Sequence, residues 1–294
     1  MTLASDTVEL AHIRRRREQK PEVLLLNSTP FSAEAIGELR DLGKKHGLSR
    51  YRTTLLLRIG EYQVLQLEPP EVTAAEMKDA LRWRIKDLLS YPVEEANLDV
   101  LEIPSDPGAV GRAKQVFAVV AKNGVLAPRV EFFDEARVPL AAIDIPELAQ
   151  RNISALFEEE NRGLALLAFD ESGGMLTFTF RGELYALRQI DISLSDLEEA
   201  EGDRLGQLLE RIVLEAQRSL DNFTRLHGHI TVSRLLVSSI PGVPGFLDEL
   251  KKGISIPVEE LDLDKVLDFP SLPELADPRC QTRFLKALGA ALRE

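Results

Sequence analysis

Apolar positions along the chain follow two rhythms, and the switches between them mark the expected elements. Residues 7–13 (TVELAHI) alternate with the two-residue period of a strand, and 22–27 (EVLLLN) return after the polar RRRREQK turn. Residues 33–46 carry helical spacing, with Ile36 and Leu39 inward and a stop near Gly47. RTTLLLRIG (52–60) reads as a strand, and EYQVLQLE (61–68) is expected to pair back on it across Gly60. Thr73-x-x-Glu76 has the spacing of a capping box, opening a helix to about Ser90. Met77, Leu81, Ile85 and Leu88 form its apolar stripe, and Trp83 lies off it, either packed on a neighbour or marking a contact surface. Strands at 97–104 and 115–121 follow, joined by a Pro/Gly loop at 104–111. A helix over 123–136, a strand over 140–145 and a helix entered at Asp144-Ile-Pro-Glu147 lead to the polar EEENRG stretch (158–163).

Beyond that boundary GLALLAFD and MLTFTFRG form a hairpin, and ELYALRQID follows. Residues 196–203 are acidic, and the longest helix spans 204–226 with Leu205, Leu208, Leu209, Ile212, Ala216, Leu220 and Phe223 on one face. SRLLVSSI (233–240) is a strand running into PGVPG. A helix (246–252), a short strand (254–258), a Pro/Asp-rich stretch (262–278) and a last helix, TRFLKALGAALRE, complete the pattern. Each half reads strand hairpin, further strand, helices, strand, helix, which predicts an α/β architecture.

Composition narrows the function classes. The 294 residues carry a net charge of −12, which repels nucleic acid and anionic lipid as default partners. The Arg14–Arg17 run is the one dense basic patch, and a solvated turn accounts for it. A single cysteine, Cys280, excludes an intrachain disulfide; the neighbouring Arg279 could lower its thiol pKa, but a lone cysteine is more often inert packing. No Cys/His grouping has the spacing of a zinc site. MTLASDTVEL lacks the basic head and apolar core of a signal peptide, and no apolar run approaches the roughly 20 residues of a membrane helix. These features predict a cytoplasmic chain without direct membrane insertion.

Four stretches carry a family resemblance: EMKDALRWRIKDLLSYPVEEANLDVLEI (76–103), VFAVVAK with PLAAIDIPELAQRNISALF (139–157), EAQRSLDNF (215–223) and KALGAALRE (286–294). In order and spacing they resemble the PilM/MshI group of type IV and MSHA pilus biogenesis proteins, related to the cytoplasmic part of the type II secretion protein GspL. The resemblance implies an actin-like ATPase (ribonuclease H-like) fold of two lobes with a 1C-type inserted subdomain. Residues 1–68 and 139–162 would form the first lobe, 69–138 the insertion and 163–294 the second lobe. It further implies a cytoplasmic scaffold, peripheral to the inner membrane. Its partner would be the cytoplasmic tail of a PilN-like membrane protein, with the assembly motor ATPase as a possible second contact. Trp83 and Tyr91 are the aromatic candidates for that contact.

The same resemblance implies Mg-ATP between the lobes, held by glycine-bearing turns whose backbone approaches the phosphates. A first hairpin with Asp-x-Gly is not found ahead of TVELAHI. A second falls at AFDESGG, where Asp170 stands at the position of a metal-associated acid and Gly173 and Gly174 follow, but Ser172 replaces the expected glycine and Glu171 adds a negative charge. A plain β-hairpin is the competing reading. A third falls at SSIPGVPG, where Gly242 and Gly245 stand beside Pro241 and Pro244. Together these departures predict a degenerate site and no cofactor, with a working Mg-ATPase and a cytoskeletal polymer as the alternatives.

Overall fold

A computed structural model describes residues 1–3, 7–30, 36–104 and 114–294. The expected helix start at 33–35 and the Pro/Gly loop at 105–111 lie outside the described residues. In chain order the elements are β1 (Thr2–Leu3), β2 (Thr7–Arg14), β3 (Glu22–Pro30), α1 (Ile36–His46), β4 (Thr53–Leu56), β5 (Tyr62–Leu67), α2 (Met77–Ile85), β6 (Ala96–Ile103) and β7 (Gln115–Lys122). Then come α3 (Asn123–Glu135), β8 (Leu140–Asp144), α4 (Pro146–Phe157), β9 (Gly163–Asp170), β10 (Gly173–Phe180) and β11 (Glu183–Ile190). The remainder is α5 (Leu194–Glu198), α6 (Gly202–Leu226), β12 (Val232–Val237), α7 (Phe246–Gly253), β13 (Val258–Glu260) and α8 (Pro278–Ala291). They group into two compact units, one of Met1–Thr2, Val8–Thr29 and Asp144–Glu294, the other of Leu3–Thr7 and Pro30–Ile143.

The larger unit is built on a five-stranded sheet in the order β11-β10-β9-β12-β13. β10 runs antiparallel to β9 and β11, while β12 is parallel to β9 and to β13. Every residue of β9 from Gly163 to Phe169 is buried, which is why this strand reads as a continuous apolar run. One core joins Val23 of β3, Leu164 and Leu166 of β9, Ile153 of α4, and Phe284 and Leu288 of α8. The backbone of Val23 donates to Asp268 O at 2.8 Å, and Asp268 returns a bond to Pro21 O at 2.9 Å. α6 buries Leu209, Ile212, Ala216, Leu220 and Phe223, the inner part of the expected stripe, and Phe223 stacks on Phe178 of β10 at 4.7 Å.

The smaller unit contains the hydrogen-bonded neighbours β4 and β8 and an antiparallel sheet in the order β5-β7-β6. β5 therefore pairs with β7, not with β4 across Gly60 as the sequence pattern suggests. Glu61 explains the turn: it accepts from the Arg58 backbone at 2.9 Å and from Arg129 of α3 at 2.8 Å, tying the start of β5 to α3. α2 covers one face of this sheet through Leu81 and Ile85, against Leu98 of β6 and Val116, Ala118 and Val120 of β7. The helix is shorter than expected. It passes into a 3₁₀ turn at Lys86–Leu88, and the changed twist turns Leu88 out to 53 % exposure.

Candidate functional site

The β9–β10 hairpin places Asp170 opposite Gly173 with Glu171 and Ser172 at the tip. The Asp170 carboxylate accepts from the Ser172 backbone N–H at 2.8 Å, which closes the turn locally. Its other oxygen pairs with the Lys286 ammonium of α8. The Glu171 carboxylate accepts from the Ser195 hydroxyl of α5.

Because β12 runs parallel to β9, the SSIPGVPG stretch leaves the sheet at the same end as Asp170. Ligands of open α/β sheets gather at such carboxyl ends. The Phe169 backbone donates to Ser238 Oγ at 3.3 Å, and the Phe169 ring meets Phe246 edge to face at 5.7 Å. α5 bridges the two segments, contacting Glu171 through Ser195 and facing Gly242 through Glu198. The structure thus brings Asp170, Gly173, Gly174, Gly242 and Gly245 to one end of one sheet.

What each glycine faces is decided by packing. Gly173 has φ +121°, and a Cβ there would lie 2.7 Å from Ile190 O. A Cβ on Gly174 would lie 2.5 Å from the Phe169 ring. Gly242 is backed by the Glu198 side chain at 3.1 Å from such a Cβ. Gly245 has φ +80° with open space around it, the left-handed residue that admits α7.

Two parts of this site escaped the sequence reading. α5 runs into the acidic stretch 196–203, to which the sequence pattern assigns no element, yet Ser193 and Asp196 form a reciprocal capping box, with Ser193 Oγ accepting from the Asp196 backbone at 3.0 Å and Asp196 Oδ2 from the Ser193 backbone at 2.9 Å. The Ser-x-x-Asp spacing was the available signal. Lys286 gave none, since its partner is 116 positions away.

α8 supplies further cations. Arg293, just past its end, pairs with the buried Asp144, and Arg283 pairs with Glu9 at 3.2 Å. α8 lies close against α4, where Gly289 O accepts from Asn152 Nδ2 at 2.9 Å.

The aromatic candidates in the smaller unit differ from each other. Trp83 is 76 % exposed, so the packing alternative for it is corrected. Tyr91 is only half-exposed: it packs on the cluster under α2, with Lys122 Nζ 5.5 Å from its ring centre. Burial pushes the Tyr91 hydroxyl above the ordinary tyrosine range. Burial also raises the Cys280 thiol, helped by Glu274 and Asp277, so of the two readings the activated thiol is not supported. Among the described residues no group of three or more His, Cys, Asp or Glu is placed to hold a metal, and no helix is long and apolar enough to cross a membrane.

No protein-family model and no curated protein matches the chain. Solved structures do. A chain of the PilM–PilN type IV pilus biogenesis complex is 18 % identical with a TM-score of 0.76, over 99 % of this chain and 96 % of that one. A protein of Bacteroides thetaiotaomicron with an actin-like ATPase fold and unknown function is 11 % identical with a TM-score of 0.50, over 95 % and 94 %. The cytoplasmic domain of EpsL, from the type II secretion system of Vibrio cholerae, is 12 % identical over 98 % and 96 %, with a TM-score of 0.48 that carries no weight. At these identities the likeness is one of architecture: the chain has the actin-like ATPase fold and is similar along its whole length to a chain of the PilM–PilN complex.

Proposed function

We propose that this chain is a cytoplasmic scaffold of an inner-membrane pilus assembly platform, of the type IV or MSHA kind, held at the membrane through its partners. The full-length likeness to a chain of the PilM–PilN complex is the observation that carries the reading. It supports a PilN-like single-span membrane protein as partner, its cytoplasmic tail captured as an added strand or in a groove. The assembly motor ATPase is a second contact in the same scheme. A net charge of −12 suits a basic juxtamembrane segment. In this reading residues 69–138 are the inserted subdomain of a first lobe formed by 1–68 and 139–162, with 163–294 as the second lobe. Trp83 is the leading contact residue, and the half-buried Tyr91 supports it.

The nucleotide site is degenerate in this proposal. The residues at the hairpin do not fit a metal–polyphosphate: Asp170 is engaged by Lys286, Glu171 adds a carboxylate, and Gly173 and Gly174 are backed by the chain itself. The chain then acts by binding, not by turnover. A second reading, a working Mg-ATPase, draws on the convergence of the hairpin and the Gly242/Gly245 loop at one end of the sheet.

Titration calorimetry with a synthetic peptide of the PilN-like cytoplasmic tail tests the scaffold. Micromolar binding is expected, weakened about tenfold by Trp83→Ala as for an exposed aromatic anchor; no binding by the intact chain overturns the proposal. Titration with Mg-ATP separates the second reading. Micromolar affinity that Asp170→Ala abolishes would establish the ATPase-like site instead.

A further inference from the structure

We infer that Lys286 is a built-in counter-ion that occupies, on Asp170, the place of the divalent cation implied by the fold. The inference rests on the degenerate-site reading and names the residue that closes the site. A carboxylate at the carboxyl end of two parallel strands, beside a glycine turn, is placed to hold a hard cation, which such sites bind through one or two carboxylates and bound phosphate. Here that carboxylate already has a cation supplied by the chain. Lys286 Nζ pairs with one oxygen of Asp170, and the Ser172 backbone N–H donates to the other at 2.8 Å. Both oxygens are engaged, and both partners are partly shielded, with side-chain exposures of 21 % and 35 %.

Two independent features agree. The bare faces of Gly173 and Gly174 are filled by Ile190 O and the Phe169 ring, so the turn uses its glycines to pack on its own unit. Arg293, just past the end of α8, likewise pairs with the buried Asp144. Lys286 within α8 and Arg293 just beyond it thus neutralise the acids at the ends of β9 and β8. A fixed ammonium does this without ligand. The hairpin position then becomes a constant of the fold, independent of nucleotide.

Manganese binding by the intact chain, followed by electron paramagnetic resonance with and without ATP, tests this on the wild type, Asp170→Asn, Lys286→Gln, Lys286→Arg and the Asp170→Asn/Lys286→Gln pair. The wild type should match Asp170→Asn and Lys286→Arg. Lys286→Gln should take up manganese at least fivefold more tightly, and the double variant should lose that gain. If Lys286→Gln binds no better than a wild type that ignores Mn-ATP, the lysine's role is overturned while the degenerate site stands. If the wild type itself binds Mn-ATP and Asp170→Asn removes the binding, both fall. A readout that needs no lysine variant is the acetylation rate of Lys286 under acetic anhydride. It should rise severalfold in Asp170→Asn, and equal rates overturn the pairing.

Discussion

Gly173 and Gly174 attract notice in the sequence as a phosphate turn, and in the structure they meet protein. Added methyl groups would press on Ile190 O at Gly173 and on the Phe169 ring at Gly174. Gly174→Ala should destabilise by roughly 1–3 kcal/mol through overpacking. Gly242→Ala, which meets only the flexible Glu198 side chain, should cost under about 0.5 kcal/mol, as for a surface change. Thermal unfolding of the two variants checks the order; equal losses would contradict the packing account. Glu61 gives a pH dependence. Burial alone would raise its carboxyl, but hydrogen bonds from the Arg58 backbone and the Arg129 and Arg58 side chains outweigh it and hold the group below the ordinary glutamate range. A depressed folded-state value means that Glu61 contributes stability above its unfolded value of about 4.3, and the contribution is lost as pH falls through the folded value. Glu61→Gln should therefore lower stability at pH 7 by about 1–3 kcal/mol, the scale of a hydrogen bond to a charged group. The difference from wild type should shrink when unfolding is repeated below pH 4, again in reference to an unfolded value of about 4.3.

Among elements, α6 and α2 mark where periodicity suffices and where it fails. In α6 the buried positions 209, 212, 216, 220 and 223 keep three-and-four spacing over the half of the helix that meets the sheet, while Leu205 and Leu208 are only partly covered. Phe223→Ala should cost about 3–5 kcal/mol, since the ring is buried and stacked on Phe178, and denaturant unfolding reads it directly. In α2 the same spacing ran three residues past the helix: Leu88 sits where α-helical twist has given way to a 3₁₀ turn, so it faces outward. β5 was misassigned to β4 because a period-two pattern says that a segment is a strand but not which strand it pairs with. α5 was missed because five residues are too few to show a period, although its capping pair was on view. The α4–α8 contact rests on Gly289, whose missing side chain lets the helices touch backbone to backbone at Ala149. Gly289→Ala should destabilise by roughly 1–3 kcal/mol or force the helices apart, which a crystal structure of the variant would reveal.

For the whole molecule, the expected actin-like architecture stands, carried by likeness to known folds at 18 % and 11 % identity. The net charge of −12 sets a further expectation. Binding of a basic tail should weaken severalfold as sodium chloride rises from about 0.05 to about 0.5 M, because the screening length shrinks from well over 10 Å to a few ångströms. Calorimetry across that range checks it, and a salt-independent affinity would assign the contact to Trp83 and its apolar surroundings alone. The chain by itself determined its fold class, the order of its longer strands and helices and the position of the acid–glycine hairpin, because these follow from local periodicity, turn chemistry and an ordered set of motifs. Only the tertiary structure decided that Asp170 faces Lys286, that Glu198 faces Gly242 and that Trp83 stands exposed, because contacts between segments distant in sequence leave no mark on local pattern: the first two are set by how α8 and α5 pack, and the third by which face α2 lays on its sheet.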